Sequence, residues 1–210
     1  MLEEVDNFLF RKWLETLQDI VGKNGLNSIL NYSHLDMYIG NFPPDNDDLA
    51  IPVQYLQHLY MAVLELFGRK GAHSLQLRVG KEVMRNLIEG RPIITKPLKA
   101  AAHLLPVSTR MRMALEKFIE QSLKRAPTTL GSSRFELQEE PEYFLFIDRD
   151  YEGSEGIIAN SPVCGFQTGM LQYAMEWITG DPHRVEEIEC RAMGHPADVF
   201  KIWKAPERGG

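Results

Sequence analysis

The chain has 210 residues, 44% of them hydrophobic, which is enough to bury one core without dividing into two domains. No stretch approaches the roughly 20 apolar residues of a membrane helix, and the start, MLEEVDNFLFRKW, is acidic and amphipathic rather than leader-like, so the expected location is the cytoplasm or a cytosolic membrane face. The net charge of −6 is unevenly spread: Gly68 to Arg134 carries 14 Lys or Arg against 4 Asp or Glu, and the remainder 9 against 25, so the basic middle is either a solvated helical surface or a patch for an anionic partner.

Residues 3–21 place Val5, Phe8, Leu9, Trp13, Leu14 and Leu17 at helical spacing, predicting an amphipathic helix that ends near Gly22 to Gly25. The Pro-, Asn- and Asp-rich run 41–48 reads as a surface loop. From Pro52 to Phe67 the apolar stripe Leu56, Leu59, Tyr60, Val63, Leu66 and Phe67 predicts a second helix that stops at Gly68. A third covers about 74–88, closed by Gly90 and Pro92, and a fourth about 108–124, with Met111, Leu115, Phe118, Ile119 and Leu123 on one side.

At Arg134 the period changes. Phe135 and Leu137 alternate with polar residues, and Tyr143 to Ile147 is a short aromatic and branched run, predicting two antiparallel strands joined at 139–142. Ser161-Pro162 resembles a helix start and Gly180-Asp181-Pro182 a helix end, with Val163, Phe166, Met170, Tyr173, Ala174 and Trp177 as the stripe between them. Two last strands follow, the first with Ile188, Cys190 and Ala192 on one face, the second with Phe200 and Ile202 flanking Lys201. Helices followed by strand, strand, helix, strand, strand predict an α+β fold, a helical layer on a four-stranded antiparallel sheet.

Chemical motifs are sparse. There is no GxxxxGK[ST], GxGxxG or GxSxG, and none of the six histidines has HExxH spacing, so no catalytic residue and no metal site is assigned. Cys164 and Cys190 lie 26 apart without CxxC spacing and indicate neither a disulfide framework nor structural zinc. Placed in the first turn of the predicted helix, Cys164 would have a stabilised thiolate; its other reading, shared by Cys190, is a small buried hydrophobe. His195, between the last strands, and His103, in an apolar setting, are candidate ligand contacts or plain turn residues.

The runs Ser161-Pro-Val-Cys-Gly-Phe-Gln-Thr-Gly169, Trp177, Glu189-Cys-Arg-Ala-Met-Gly-His-Pro196 and Phe200-Lys-Ile202, with Gly68-Arg-Lys-Gly71 and Arg78-Val-Gly80 upstream, resemble the 4-vinyl reductase domain family over residues 55–203. Where that family usually carries a further cysteine, this chain has Asp198. The resemblance implies a fold shared with Golgi-transport subunits and haem nitric-oxide sensor domains, and one domain over 1–210, with 1–50 as a helical extension and 51–204 as the family-like part. It also implies a homodimer holding a hydrophobic small molecule, in particular a tetrapyrrole such as a chlorophyll precursor, bilin or haem. Cys164, Cys190, His195, His103 and Phe166 would then be the ligand contacts, with Arg69 and Arg78 near ligand carboxylates. Two other readings stand beside it: a vinyl reductase of chlorophyll biosynthesis, for which no redox fingerprint is visible, and an assembly factor, for instance in a photosynthetic membrane complex. Nucleic acid is not an expected partner.

Overall fold

The computed structural model describes residues 4–90, 92–125 and 128–207. It is α+β. A short strand β1 (Glu4–Asp6) leads into helix α1 (Asn7–Tyr32); β2 (Leu49–Pro52) pairs antiparallel with β1 and leads into α2 (Val53–Glu89), followed by α3 (Pro92–Ala102) and α4 (Val107–Arg125). Strands β3 (Phe135–Glu139) and β4 (Tyr143–Asp148), helix α5 (Gly165–Thr179), and strands β5 (His183–Glu189) and β6 (Asp198–Pro206) complete the fold. The four-stranded sheet is antiparallel in the order β3-β4-β6-β5. No helix among the described residues is long and apolar enough to cross a membrane.

Alternation sets the sheet face. Phe144 and Phe146 of β4 are fully buried and stand opposite Ile202 and Phe200 of β6, while Tyr143, Leu145 and Ile147 point to the other face. Phe146 is the hub of this layer, packing against Phe118 of α4, Phe135 of β3 and Phe200.

The helix ends expected at Gly22 and Gly68 are breaks in helical geometry, so α1 and α2 are each two helical segments that meet at a kink. Both glycines have positive φ, 76° and 65°, and the chain resumes helical geometry beyond each. Val5 lies in a strand, not in the first helix. Asp6 ends that strand and caps α1, accepting from Leu9 N–H at 2.6 Å while its other oxygen pairs with Arg125 at 2.8 Å. Helix α3 was not predicted, because Pro97 sits inside it.

Helix α5 begins at Gly165, not at Ser161, and Val163 precedes it. Ile188 is exposed on β5, whose buried positions are His183, Val185 and Glu187, so the predicted face of this strand is reversed. A register shift between Glu187 and Glu189 then brings Cys190 inward.

Helices α2 and α5 cross at backbone contact. A Cβ added at Gly80 would overlap the carbonyl oxygen of Phe166, and one at Gly169 the carbonyl oxygen of Leu77. Neither obstacle is a movable side chain. Gly169→Ala is therefore expected to cost about 1–3 kcal/mol or more of stability, as overpacking does. Urea unfolding reads this directly, and an unchanged midpoint would mean that the two helices do not meet as described.

Candidate functional site

Helix α5 turns one stripe, with Phe166, Gln167, Met170, Ala174 and Trp177, into a cavity of about 160 Å³. The facing walls are Trp13 of α1, Leu56, Tyr60 and Met84 of α2, Ala114 and Phe118 of α4, and Phe135 at the start of β3. Aromatic contacts fix this lining: Phe166 packs on Trp13 and Tyr60, with ring centroids 5.0 and 5.9 Å away, and Trp13 packs on Tyr60 at 4.7 Å.

The cavity has a polar pole. Tyr60 and Tyr151 share a hydroxyl–hydroxyl hydrogen bond of 2.7 Å. Burial pushes both phenols well above their ordinary pKa, so both stay protonated and neutral. Beside them Arg134 forks onto Asp148 at 2.8 and 3.0 Å and onto Glu152 at 2.8 and 3.2 Å. Burial lifts Asp148 to about 6 in spite of this partner. Burial also works against the Arg134 charge, but the two carboxylates more than offset it and the guanidinium stays ionised.

A second cluster lies at the opening of α5. Cys164 is the N-cap residue, Glu187 and Cys190 come from the bulged end of β5, and Asp198 begins β6. One ligand atom from each of the four lies within 4.8 Å of the others. The two sulfurs are 3.9 Å apart, close to the roughly 3.8 Å edge of a tetrahedron with zinc–sulfur bonds of about 2.3 Å. Cys164 Sγ is 3.5 Å from Asp198 Oδ1, and Glu187 Oε2 accepts from Cys164 N–H at 2.9 Å while Oε1 has no partner.

Outer contacts hold these groups in place. Asp198 accepts from Ser154 Oγ at 2.7 Å and from Arg191 N–H at 2.8 Å, and His195 Nδ1 accepts from Cys190 N–H at 3.2 Å. Two thiols and two carboxylates are a ligand set for a divalent ion such as zinc. Burial raises the Cys164 thiol and pushes Glu187 up to about 9, whereas the contact from the Cys164 thiol brings Cys190 down to about 6.

The residues expected to contact one ligand therefore fall in different places. Phe166 lines the cavity. Cys164 and Cys190 belong to the four-residue cluster, and His195 supports it through the Cys190 backbone. His103 is exposed just after α3, and Arg78 is exposed on α2. Arg69 is exposed too, hydrogen-bonded to Asn160 at the edge of a separate groove between α2 and residues 157–163. Tyr60, Tyr151, Gln167 and Arg134 were not anticipated at the site. Nor was the four-residue cluster, because its members come from distant parts of the chain; the available signals were Glu187 three residues before Cys190 and a carboxylate at position 198.

The 4-vinyl reductase domain family matches residues 155–204, which take in the C-terminal runs that carry the resemblance. No curated protein sequence matches the chain. Among solved structures, the Fe(II) unliganded H-NOX protein from K. algicida is similar with a TM-score of 0.64 at 14% identity, covering 96% of this chain and 97% of that one. Another H-NOX protein, solved to probe haem distortion, gives 0.60 at 14% identity and covers 98% of both chains. The phenol-responsive sensory domain of the transcription activator PoxR, solved with phenol, gives 0.51 at 14% identity over 77% of this chain and 79% of that one. At these identities the likeness is one of fold.

Zinc uptake by the cluster is expected to strengthen as pH rises from 6 to 9. Burial favours the protonated forms of Cys164 and Glu187, whose protons a metal must displace, while Cys190 is shifted toward the thiolate. Calorimetry in two buffers of different ionisation enthalpy should count about two protons released per ion at pH 7. Zinc affinity independent of pH, or unchanged in Cys190→Ser, would rule the cluster out as a metal site.

Proposed function

We propose that this chain, with its 4-vinyl reductase segment built into an H-NOX-like fold, is a binding module for a small hydrophobic molecule of one or two rings. The cavity between α1, α2, α4 and α5 carries the reading. Its volume of about 160 Å³ is close to that of the engineered cavity of about 150 Å³ that takes up benzene. It is smaller than the roughly 300–1,000 Å³ of pockets that enclose drug-sized ligands. That a protein of similar fold is described as phenol-responsive supports a ligand of this size.

Haem, which the H-NOX likeness suggests, does not fit the residues present. Among the described residues no histidine or cysteine lines the cavity, and its two tyrosines hydrogen-bond each other and resist ionisation; Met84 and Met170 offer thioethers, which ligate haem iron beside a histidine that this lining lacks. A tetrapyrrole is larger than this cavity of about 160 Å³. The exposed Arg69 and Arg78 lie outside the cavity and cannot meet carboxylates of a molecule held there. No observation favours vinyl reduction or photosystem assembly over simple binding.

Trp13 reports occupancy, since it forms part of the wall. Phenol, toluene and indole are each expected to change tryptophan fluorescence. At 100 times Kd each should stabilise the fold by about 2.7 kcal/mol, a rise in Tm of about 5–10 °C. Ala174→Leu, which fills the cavity from α5, should weaken all three at least tenfold while the protein stays folded. Haem raising Tm where the three small aromatics do not would overturn the proposal.

A further inference from the structure

Among the buried polar residues, Gln76 and Gln167 make no side-chain hydrogen bond; elsewhere Arg110 Nε, Gln172 Oε1, Glu187 Oε1 and Trp203 Nε1 are single buried atoms without a partner. Gln76 faces the groove beside α2. Gln167 is 5% exposed and lines the cavity, on the same helix stripe as Met170, Ala174 and Trp177. Its carboxamide has no partner within the protein and its polar atoms are reached only from the cavity side, where leucine or methionine would fill the same space without a polar group to satisfy. The side chain offers two N–H donors and a carbonyl acceptor, all unused.

The rest of the lining narrows what can meet it. Each cation along the wall is already paired: Lys117 with Glu120, Arg125 with Asp6, and Arg134 with Asp148 and Glu152. An anionic ligand would enter without a counter-charge and face two carboxylates across one guanidinium. The tyrosine pair uses one of its two hydroxyl hydrogens internally and adds one further neutral donor.

We infer that Gln167 is the residue that selects the ligand, and that the ligand is a neutral one-ring aromatic bearing a group that both donates and accepts a hydrogen bond. This rests on the cavity being the ligand site. An aromatic carboxamide pairs with a glutamine carboxamide through one N–H···O bond in each direction, and a phenolic hydroxyl can serve the same atoms singly. An apolar ring leaves Gln167 unpaired; a carboxylate replaces a donor with a charge that nothing in the cavity balances.

The test is a four-ligand titration of the full chain with benzamide, phenol, toluene and benzoate. The wild-type protein should bind benzamide and phenol ahead of toluene, with benzoate weakest. In Gln167→Leu, benzamide affinity should fall about 10–100-fold and toluene affinity should hold or rise. Gln167→Met, which keeps the length of the side chain, provides the same comparison if the leucine variant folds poorly. If none of the four binds the folded wild-type protein, the cavity reading itself fails. If toluene and benzamide bind with the same ratio in wild type and variant, the cavity stands and the role of Gln167 is refuted. Benzoate binding more tightly than benzamide would refute the neutral-ligand part.

Discussion

At the α2–α5 crossing two helix backbones touch through Gly80 and Gly169, and the position of every group in the site follows from that contact. Side chains at these positions would hold the helices apart by the width of at least one methyl group. A third glycine, Gly165, meets the carbonyl of His73 in the same way one turn earlier, so α5 is held against α2 from its first residue. The placement has two results. The start of α5 is driven down to the end of β5, where Cys164 meets Glu187 and Cys190. The stripe from Phe166 to Trp177 is turned toward α1 and α4 instead of toward the sheet alone, which leaves the cavity between them.

The cluster and the cavity are joined by a short run of direct contacts. Asp198 accepts from Ser154 Oγ, Ser154 N–H and Oγ both reach the carbonyl of Tyr151, and the Tyr151 hydroxyl meets Tyr60 in the cavity wall. On the other side, Cys164 is followed two and three residues later by Phe166 and Gln167. The same loop and the same helix turn thus serve both places, and any displacement of one is felt in the other.

Elements governed by local periodicity were legible in the sequence, and those governed by distant partners were not. The stripe of α4, the Leu56, Leu59, Tyr60 and Val63 part of the α2 stripe, the loop at 41–48, the β3–β4 hairpin and the inward Phe200 and Ile202 follow from spacing alone, whereas Leu66 and Phe67, expected on the α2 stripe, are exposed. Ser161-Pro162 has the form of a cap, yet the helix starts at Gly165, where Cys164 N–H donates to Glu187 Oε2 from across the fold. The same contact reverses β5: a strand read by hydrophobicity puts Ile188 inside, but Glu187 must face the cluster, and Ile188 is left in solvent. Strand β1 is three residues long and its Val5 continues a helical apolar pattern, so only its pairing with β2 distinguishes it. The cavity was invisible because its polar pole is assembled from Tyr60, Arg134, Tyr151 and Gln167, which lie far apart in the chain.

Arg134 explains how that pole can be polar without being charged. It is 3% exposed and lies over the ring of Phe135, with its centre 4.8 Å from the ring centroid, and a guanidinium so placed would be very costly without partners. Asp148, at the end of β4, and Glu152, in the following loop, take its donors in two forks. The triad uses up its charge internally and pins the loop that carries Tyr151, so this pole adds a hydroxyl pair and a carboxamide to a lining whose other polar members are Thr95, Gln121, Ser122 and the paired Lys117 and Arg125. A fold whose solved neighbours include haem proteins here encloses hydrogen-bonding groups with no ligating imidazole or thiolate among them. The chemistry of the cavity is therefore set by this small set of side chains and not by the architecture that surrounds it.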